Sequence, residues 1–101
     1  MVDQSELAFR LLCRENGCQL AYSPMLHANV IVREDGIPST HGHRRYLGEF
    51  FKTCDEDRPL AVQLAGTDAV ALGRAAKIVA PFCDIVDLNL GCPQAMVRGY
   101  I

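Results

Sequence analysis

The spacing of apolar and polar residues changes several times along the chain, and these changes predict alternating helices and strands. Residues 3–16 carry apolar side chains at helical spacing, with Asp3 or Ser5 as the candidate cap and Gly17 positioned to end the helix. Residues 60–64 and 84–90 are short apolar, β-branched runs of strand length. This order favours an α/β fold, with parallel strands joined by crossover helices.

The segments between these elements have weaker patterns. Residues 18–22 resemble a short strand, which Ser23-Pro24 ends because proline cannot donate to a strand ladder. Residues 25–33 fit either a second helix or an irregular apolar stretch, since three consecutive β-branched residues disfavour a helix. Residues 34–58 contain turn formers and charges without a sustained period, apart from a possible short helix over 46–52.

A helix is predicted over residues 68–80, between the two clear strands. Thr67 or Asp68 can cap its N-terminus, and Pro81 ends it. Its predicted buried stripe consists of Val70, Ala71, Ala75, Ile78 and Val79.

The strand at 84–90 has two different faces and is followed by a cysteine. Ile85, Asp87 and Asn89 share one face, while Val86, Leu88 and Leu90 form an apolar face of the kind that helices cover. Gln63 on the preceding strand is expected to point the same way as Asn89. Cys92 follows between Gly91 and Pro93, at the end of the sheet where parallel α/β folds carry their chemistry. A loop cysteine without a chemical role, and polar residues that merely cap strand ends, are the competing interpretations.

Composition narrows the class of protein. The chain has 101 residues, half of them hydrophobic, and a net charge of −2, which does not suggest an electrostatic nucleic-acid binder. No apolar run is long enough to span a membrane, and the acidic N-terminus does not resemble a signal peptide. Five cysteines without a CxxC pair favour a reducing, intracellular setting, cytoplasmic or nuclear, over a disulfide framework or a structural metal. His41 and His43 lack a suitably spaced acidic or thiol partner, so no metal site is predicted.

Three ordered stretches resemble motifs of the tRNA-dihydrouridine synthase family. Residues 87–94, DLNLGCPQ, resemble its DxNxGCP signature; residues 1–12, MVDQSELAFRLL, resemble its opening PMVxxSxxxxR segment; and residues 58–66, RPLAVQLAG, resemble its RPLxVQxxG strand. The sequences of residues 1–12 and of residues 22–27, YSPMLH, are similar to those of the eukaryotic tRNA-dihydrouridine(16/17) synthase branch. The resemblance covers residues 1 to about 94, in register.

This resemblance implies a fold, a reaction and a set of site residues. The fold is the N-terminal part of a (β/α)8 TIM barrel, about three parallel strands with crossover helices, over residues 1–101. The reaction is the reduction of a tRNA D-loop uridine, with FMN as the hydride carrier and NADPH as the reductant. Cys92 matches the cysteine that gives a proton to C5 of the uracil. Gln63 matches a glutamine that hydrogen-bonds the flavin, Met1 matches a methionine whose backbone lies along it, and Asn89 is positioned to contact flavin or uracil.

Departures from the family pattern leave more than one function open. The first barrel strand, the phosphate-holding lysine and histidine, and the tRNA-gripping helical domain have no counterpart, and a complete barrel needs about 250 residues. We therefore expect an N-terminal fragment, an alternative product or a truncated gene model. The main hypothesis is a tRNA-dihydrouridine synthase, and the alternative is a non-catalytic remnant that acts at most as a binding module. Another FMN barrel oxidoreductase, such as a relative of dihydroorotate dehydrogenase, is a third option, which the sequence DLNLGCPQ disfavours.

Overall fold

A computed structural model describes residues 4–35 and 45–92, and it contains the predicted alternation of helices and strands. The elements are α1 (Leu7–Glu15), β1 (Ala21–Tyr22), β2 (Leu26–His27), α2 (Ala28–Asp35), α3 (Arg45–Phe50), β3 (Leu60–Ala65), α4 (Ala69–Val79), a 3-10 turn (Ala80–Phe82) and β4 (Ile85–Leu88). The α/β class is confirmed.

The sheet is parallel and centred on β3. β1 and β2 pair with successive parts of one edge of β3, and β4 pairs with the other edge. Three strand positions therefore lie side by side, as predicted for the N-terminal part of a barrel.

The first of these strand positions is interrupted between β1 and β2. Ala21 is opposite Leu60, and Leu26 is opposite Leu64. The segment from β1 to β2 therefore uses five residues over a length in which β3 uses four. The extra residue makes a bulge-like break around Ser23-Pro24. The buried Ser23 hydroxyl accepts a hydrogen bond from the Gln63 backbone N–H at 3.1 Å, so this amide of β3 stays paired across the break.

The main core lies between one face of β3 and the helices. Leu60, Val62 and Leu64 are buried on this face, against side chains of α2, α3 and α4. The opposite face of β3 carries Ala61, Gln63 and Ala65, as the alternation along the strand predicts. This division leaves the polar Gln63 on the face away from the helical core.

Helix α1 ends as predicted but begins differently. Gly17 has a φ of +93°, and the N–H groups of Gly17 and Cys18 donate to the carbonyls of Arg14 and Cys13, which is a Schellman motif. The cap prediction was wrong for Ser5: Glu6 occupies the N-cap position without a side-chain hydrogen bond. Asp3 lies outside the described residues.

Helix α4 confirms Asp68 as its cap and corrects its buried stripe. The Asp68 carboxylate accepts hydrogen bonds from the N–H groups of Val70 and Ala71, at 2.8 and 3.3 Å. Ala71, Ala75 and Val79 are buried and stand four residues apart on one face of the helix, whereas Val70 is exposed because it lies off that face. The helix ends at Val79, and Pro81 lies in the short 3-10 turn that follows.

Two weakly predicted segments resolve into short elements. Residues 25–33 are neither wholly helical nor irregular: the two-residue strand β2 is followed directly by α2. The helix expected over 46–52 is α3, in which Leu47 is buried but Phe50 is exposed. Phe51, just after α3, is buried in the same core.

The apolar face of β4 is not covered as predicted. Val86, Leu88 and Leu90 are 41%, 47% and 89% exposed. β4 is an edge of the sheet within the described residues, and the described helices pack on β3 instead. Alternation along a strand shows which side chains share a face, but whether that face is covered depends on the neighbouring elements.

Candidate functional site

Three polar side chains meet at the carboxyl end of β3 and β4. Gln63 and Asp87 are opposite each other in the strand register, and the Gln63 Nε2 donates to Asp87 Oδ2 at 2.8 Å. Asn89 Nδ2 donates to Gln63 Oε1 at 3.3 Å. The prediction that Gln63 and Asn89 point the same way is therefore confirmed, and Asp87 joins them.

Cys92 lies on the loop that leaves this cluster. The Gly91 N–H donates to Asn89 Oδ1 at 2.9 Å, which fixes the turn immediately before the cysteine. The Cys92 side chain is partly buried and packs against Met25 and Ala65. Ala65 is the last residue of β3, on the face that carries Gln63, so the thiol is on the same side of the sheet as the polar cluster.

Not every predicted site residue can be located. Gln63, Asn89 and Cys92 lie at one end of the sheet, linked through direct contacts or the turn at Gly91. Met1 lies outside the described residues, and so do Pro93 and Gln94 of the GCP stretch.

His27 is a residue at this end of the sheet that sequence reasoning missed. It ends β2 and is opposite Ala65, and neighbouring residues in register share a face of a parallel sheet. Burial lowers the pKa of His27 below its ordinary value, which favours a neutral imidazole at pH 7. The only sequence signal was its place in the YSPMLH stretch, because β2 is too short to give a periodic pattern.

Two of the other thiols in the described chain, those of Cys54 and Cys83, lie in different surroundings. Burial raises the pKa of Cys83, whose thiol donates to the Val79 carbonyl. A hydrogen bond with Glu56 raises the pKa of the Cys54 thiol. Cys54 precedes β3 and Cys83 precedes β4, so both thiols lie toward the opposite end of the sheet from the polar cluster.

The donors and acceptors of the cluster fit the edge of a flavin or uracil ring. Each amide group has two N–H donors, and the bonds within the cluster use one from Gln63 and one from Asn89. All three residues are partly exposed, and each amide keeps a second N–H that the bonds within the cluster do not use. Flavin and uracil edges alternate N–H and C=O groups, and this donor set is complementary to them.

The part of the chain that the structure describes shows neither a metal-binding cluster nor a membrane-spanning helix. There, no three histidine, cysteine, aspartate or glutamate side chains come together to hold a metal ion. His41 and His43 are outside that part. Among the described helices, none combines the length and the apolar character that crossing a membrane requires.

Comparison with known proteins places these residues in a family. The model of the dihydrouridine synthase (Dus) family matches residues 1–100. The tRNA-dihydrouridine(16/17) synthase [NAD(P)(+)]-like protein of Rattus norvegicus is 47% identical over 98 residues, which are 97% of this chain and 21% of the relative. The tRNA-dihydrouridine(16/17) synthase [NAD(P)(+)] of Schizosaccharomyces pombe is 43% identical over 100 residues, which are 97% of this chain and 23% of the relative.

A second group of relatives carries a different position in its name. The tRNA-dihydrouridine(20a/20b) synthase [NAD(P)+]-like protein of Homo sapiens is 43% identical over 102 residues, covering 99% of this chain and 29% of the relative. The chain spans about a fifth of the length of the (16/17) relatives. Because the family model matches almost the whole of this sequence, the chain belongs to the dihydrouridine synthase (Dus) family.

Proposed function

We propose that the protein reduces uridine to dihydrouridine in the D-loop of tRNA, at positions 16 and 17 as the names of its more similar relatives indicate. The observation that carries this proposal is the grouping of Gln63, Asn89 and Cys92 at one end of the sheet, in a chain of this family. Residues 1–101 are then the N-terminal part of an FMN-binding barrel domain.

The two amides and Met1 are the groups that would hold the cofactor. Gln63 can donate and accept along the pyrimidine edge of a flavin, and Asn89 lies directly beside it. Met1 is proposed from the motif resemblance alone. When bound, FMN supplies the hydride that reduces C6 of the uracil, and NADPH restores the reduced flavin, in keeping with the NAD(P) in the relatives' names.

Cys92 is proposed as the proton donor. Reduction of the C5–C6 double bond needs a proton at C5 in addition to the hydride at C6. The Cys92 thiol gives that proton as a general acid, and the thiolate left behind takes a proton from solvent before the next turnover. Its loop is held by Asn89 and by packing on Met25, which supports a fixed position for the sulfur.

The partner is tRNA, and recognition of it falls largely to other surfaces. The net charge of −2 is too small and of the wrong sign for this chain alone to attract a polyanion. A substrate of this kind also implies an intracellular protein, cytoplasmic or nuclear.

The test is an assay of the intact protein on unmodified tRNA. We expect visible flavin absorbance in the purified protein, its bleaching by NADPH, and dihydrouridine in the tRNA by mass spectrometry. A colourless protein that makes no dihydrouridine with added FMN and NADPH would contradict the proposal and favour a non-catalytic binding module.

A further inference from the structure

A continuous chain of hydrogen bonds runs from Asp87 to the loop that carries Cys92. Asp87 Oδ2 accepts from Gln63 Nε2 at 2.8 Å, and Gln63 Oε1 accepts from Asn89 Nδ2 at 3.3 Å. Asn89 Oδ1 then accepts from the Gly91 N–H at 2.9 Å. Every side chain in this network uses one end to donate and the other to accept, except Asp87.

The two ends of the network set its direction: the Asp87 carboxylate can only accept, and the Gly91 backbone N–H can only donate. A carboxylate only accepts hydrogen bonds, whereas an amide can turn over and exchange its N–H2 and C=O ends. Because Asp87 accepts, Gln63 must present its N–H2 group to it and its oxygen to Asn89. Asn89 must then present its N–H2 group to Gln63, which leaves its oxygen for the Gly91 N–H. Reversing either amide would set two donors or two acceptors against each other.

We propose that Asp87 is a positioning residue that, opposite the Gly91 N–H, holds both site amides in one orientation and, through Asn89, holds the loop that carries Cys92. The inference rests on the proposed function in one respect: the oriented groups are those assigned to flavin and to proton transfer. The competing explanation is that Asp87 only stabilises the end of β4. That explanation predicts a change in stability without a change in the orientation of Gln63 or the order of the Cys92 loop.

The first test does not depend on flavin. Asp87→Asn keeps the shape of the side chain but lets position 87 donate as well as accept, and it removes the charge, so the direction of the network is fixed only by the single neutral bond at Gly91. Alkylation of Cys92 by iodoacetamide, followed by peptide mass spectrometry on the intact protein, should become about tenfold faster, as expected when a charge-assisted bond in the network that holds the loop is replaced by a weaker neutral one. The side-chain N–H2 resonances of Gln63 should also move.

Asp68→Asn is the matched control for this variant. It makes the same chemical change at a helix cap, where asparagine serves as well as aspartate, so Cys92 reactivity should stay at the parent value. An Asp87→Asn protein whose Cys92 rate and Gln63 resonances equal those of the parent overturns the proposal, even if its stability falls.

An exchange of the carboxylate and the amide gives a sharper test. In the double variant Gln63→Glu with Asp87→Asn, the new carboxylate at position 63 accepts from the new amide at position 87 and from Asn89, so Asn89 keeps its orientation toward Gly91. Cys92 alkylation should therefore return to within about twofold of the parent, since the loop is again held. Flavin affinity should not return, because position 63 no longer offers a donor to the ring.

The outcomes separate this inference from the proposed function. Failure of the exchange to restore Cys92 protection overturns the positioning role of Asp87. A parent protein without flavin or dihydrouridine activity overturns the proposed function alone, because the alkylation and resonance results are read without cofactor or substrate.

Discussion

Gln63 and Cys92 have different kinds of support. Gln63 is on the central strand, where both neighbouring strand positions constrain its backbone. Cys92 is on a loop, and its position depends on one turn and a small apolar contact with Met25 and Ala65. The proposed flavin ligand is thus on the central strand of the sheet, and the proposed acid is on the loop after β4.

Substitution of Cys92 tests proton transfer alone. In the intact protein, Cys92→Ala should leave flavin binding and flavin reduction by NADPH nearly unchanged, because the thiol is not among the proposed flavin ligands. Dihydrouridine formation should drop by roughly 10²- to 10⁴-fold, the usual effect of losing a general acid. Cys54→Ala is the matched control at the far end of the sheet. A near-normal dihydrouridine yield from Cys92→Ala would remove the proposed acid.

Substitution of Gln63 tests cofactor binding. Gln63→Ala removes both ends of an amide and leaves Asp87 and Asn89 without their shared partner. The dissociation constant for FMN should rise about tenfold or more, as expected from loss of a hydrogen-bonding group in a site, measured by fluorescence titration. At saturating FMN, much of the dihydrouridine activity should return. Unchanged flavin affinity would exclude Gln63 as a ligand.

His27 should make the stability of the folded protein depend on pH. Its pKa is lowered in the folded protein by burial, so the unfolded chain binds its proton more readily. Its contribution to stability is therefore complete above the unfolded pKa of about 6.5 and decreases as pH falls toward the folded value. Urea unfolding of the parent and of His27→Gln should differ in pH dependence over that window. Parallel pH profiles would contradict the role of this imidazole.

At the scale of elements, helix α1 is attached to the sheet by a buried ionic cluster. Arg10 is 2% exposed, and its guanidinium contacts the fully buried Asp57 at 2.6 Å. Arg14 contacts the other oxygen of Asp57 at 3.2 Å, and Thr53 also donates to this carboxylate. Arg10 is the arginine of the opening PMVxxSxxxxR segment, so this motif residue holds the helix against the segment before β3.

Removing Asp57 should therefore loosen α1 strongly. Asp57→Ala leaves two arginines, one of them buried, without their shared carboxylate. The free energy of unfolding should fall by about 3–5 kcal/mol, the usual effect of breaking a buried ion pair by removing one partner. Asp55→Ala, two residues away and exposed, should change it by less than about 0.5 kcal/mol by the same denaturation assay. A similar loss in both variants would argue against the cluster.

At the scale of the whole molecule, the described chain has an open, apolar edge. β4 is an edge strand of the sheet in the described ranges, and Val86 and Leu88 are exposed on it. Edge strands with exposed apolar side chains promote pairing with other chains. The 101-residue chain should therefore self-associate in solution.

Charges on that edge should suppress the association. In Val86→Lys with Leu88→Lys, the dissociation constant for self-association, measured by analytical ultracentrifugation, should rise at least about tenfold because two partly exposed apolar side chains no longer become buried. Val70→Lys is the control, since Val70 is exposed on α4, away from β4. A monomeric parent chain, or equal effects of the two substitutions, would contradict this prediction.

The elements that were predictable from the sequence are those whose signal is local. β3, β4 and α4 have clear periods, end markers or caps, and a parallel arrangement then requires Gln63 and Asn89 to share a face. The motif resemblance led to Cys92 and to the family, and the family match confirms the family part of that prediction.

The tertiary structure decided what depends on distant residues. Asp57 is 47 positions from Arg10, and no local pattern connects them. His27 belongs to a two-residue strand that exists only because β3 lies beside it. The apolar face of β4 is exposed because coverage depends on packing between elements, whereas alternation depends only on the geometry of one strand. Local periodicity thus determined which side chains point together, and packing across the chain determined which of them are buried, paired or left open.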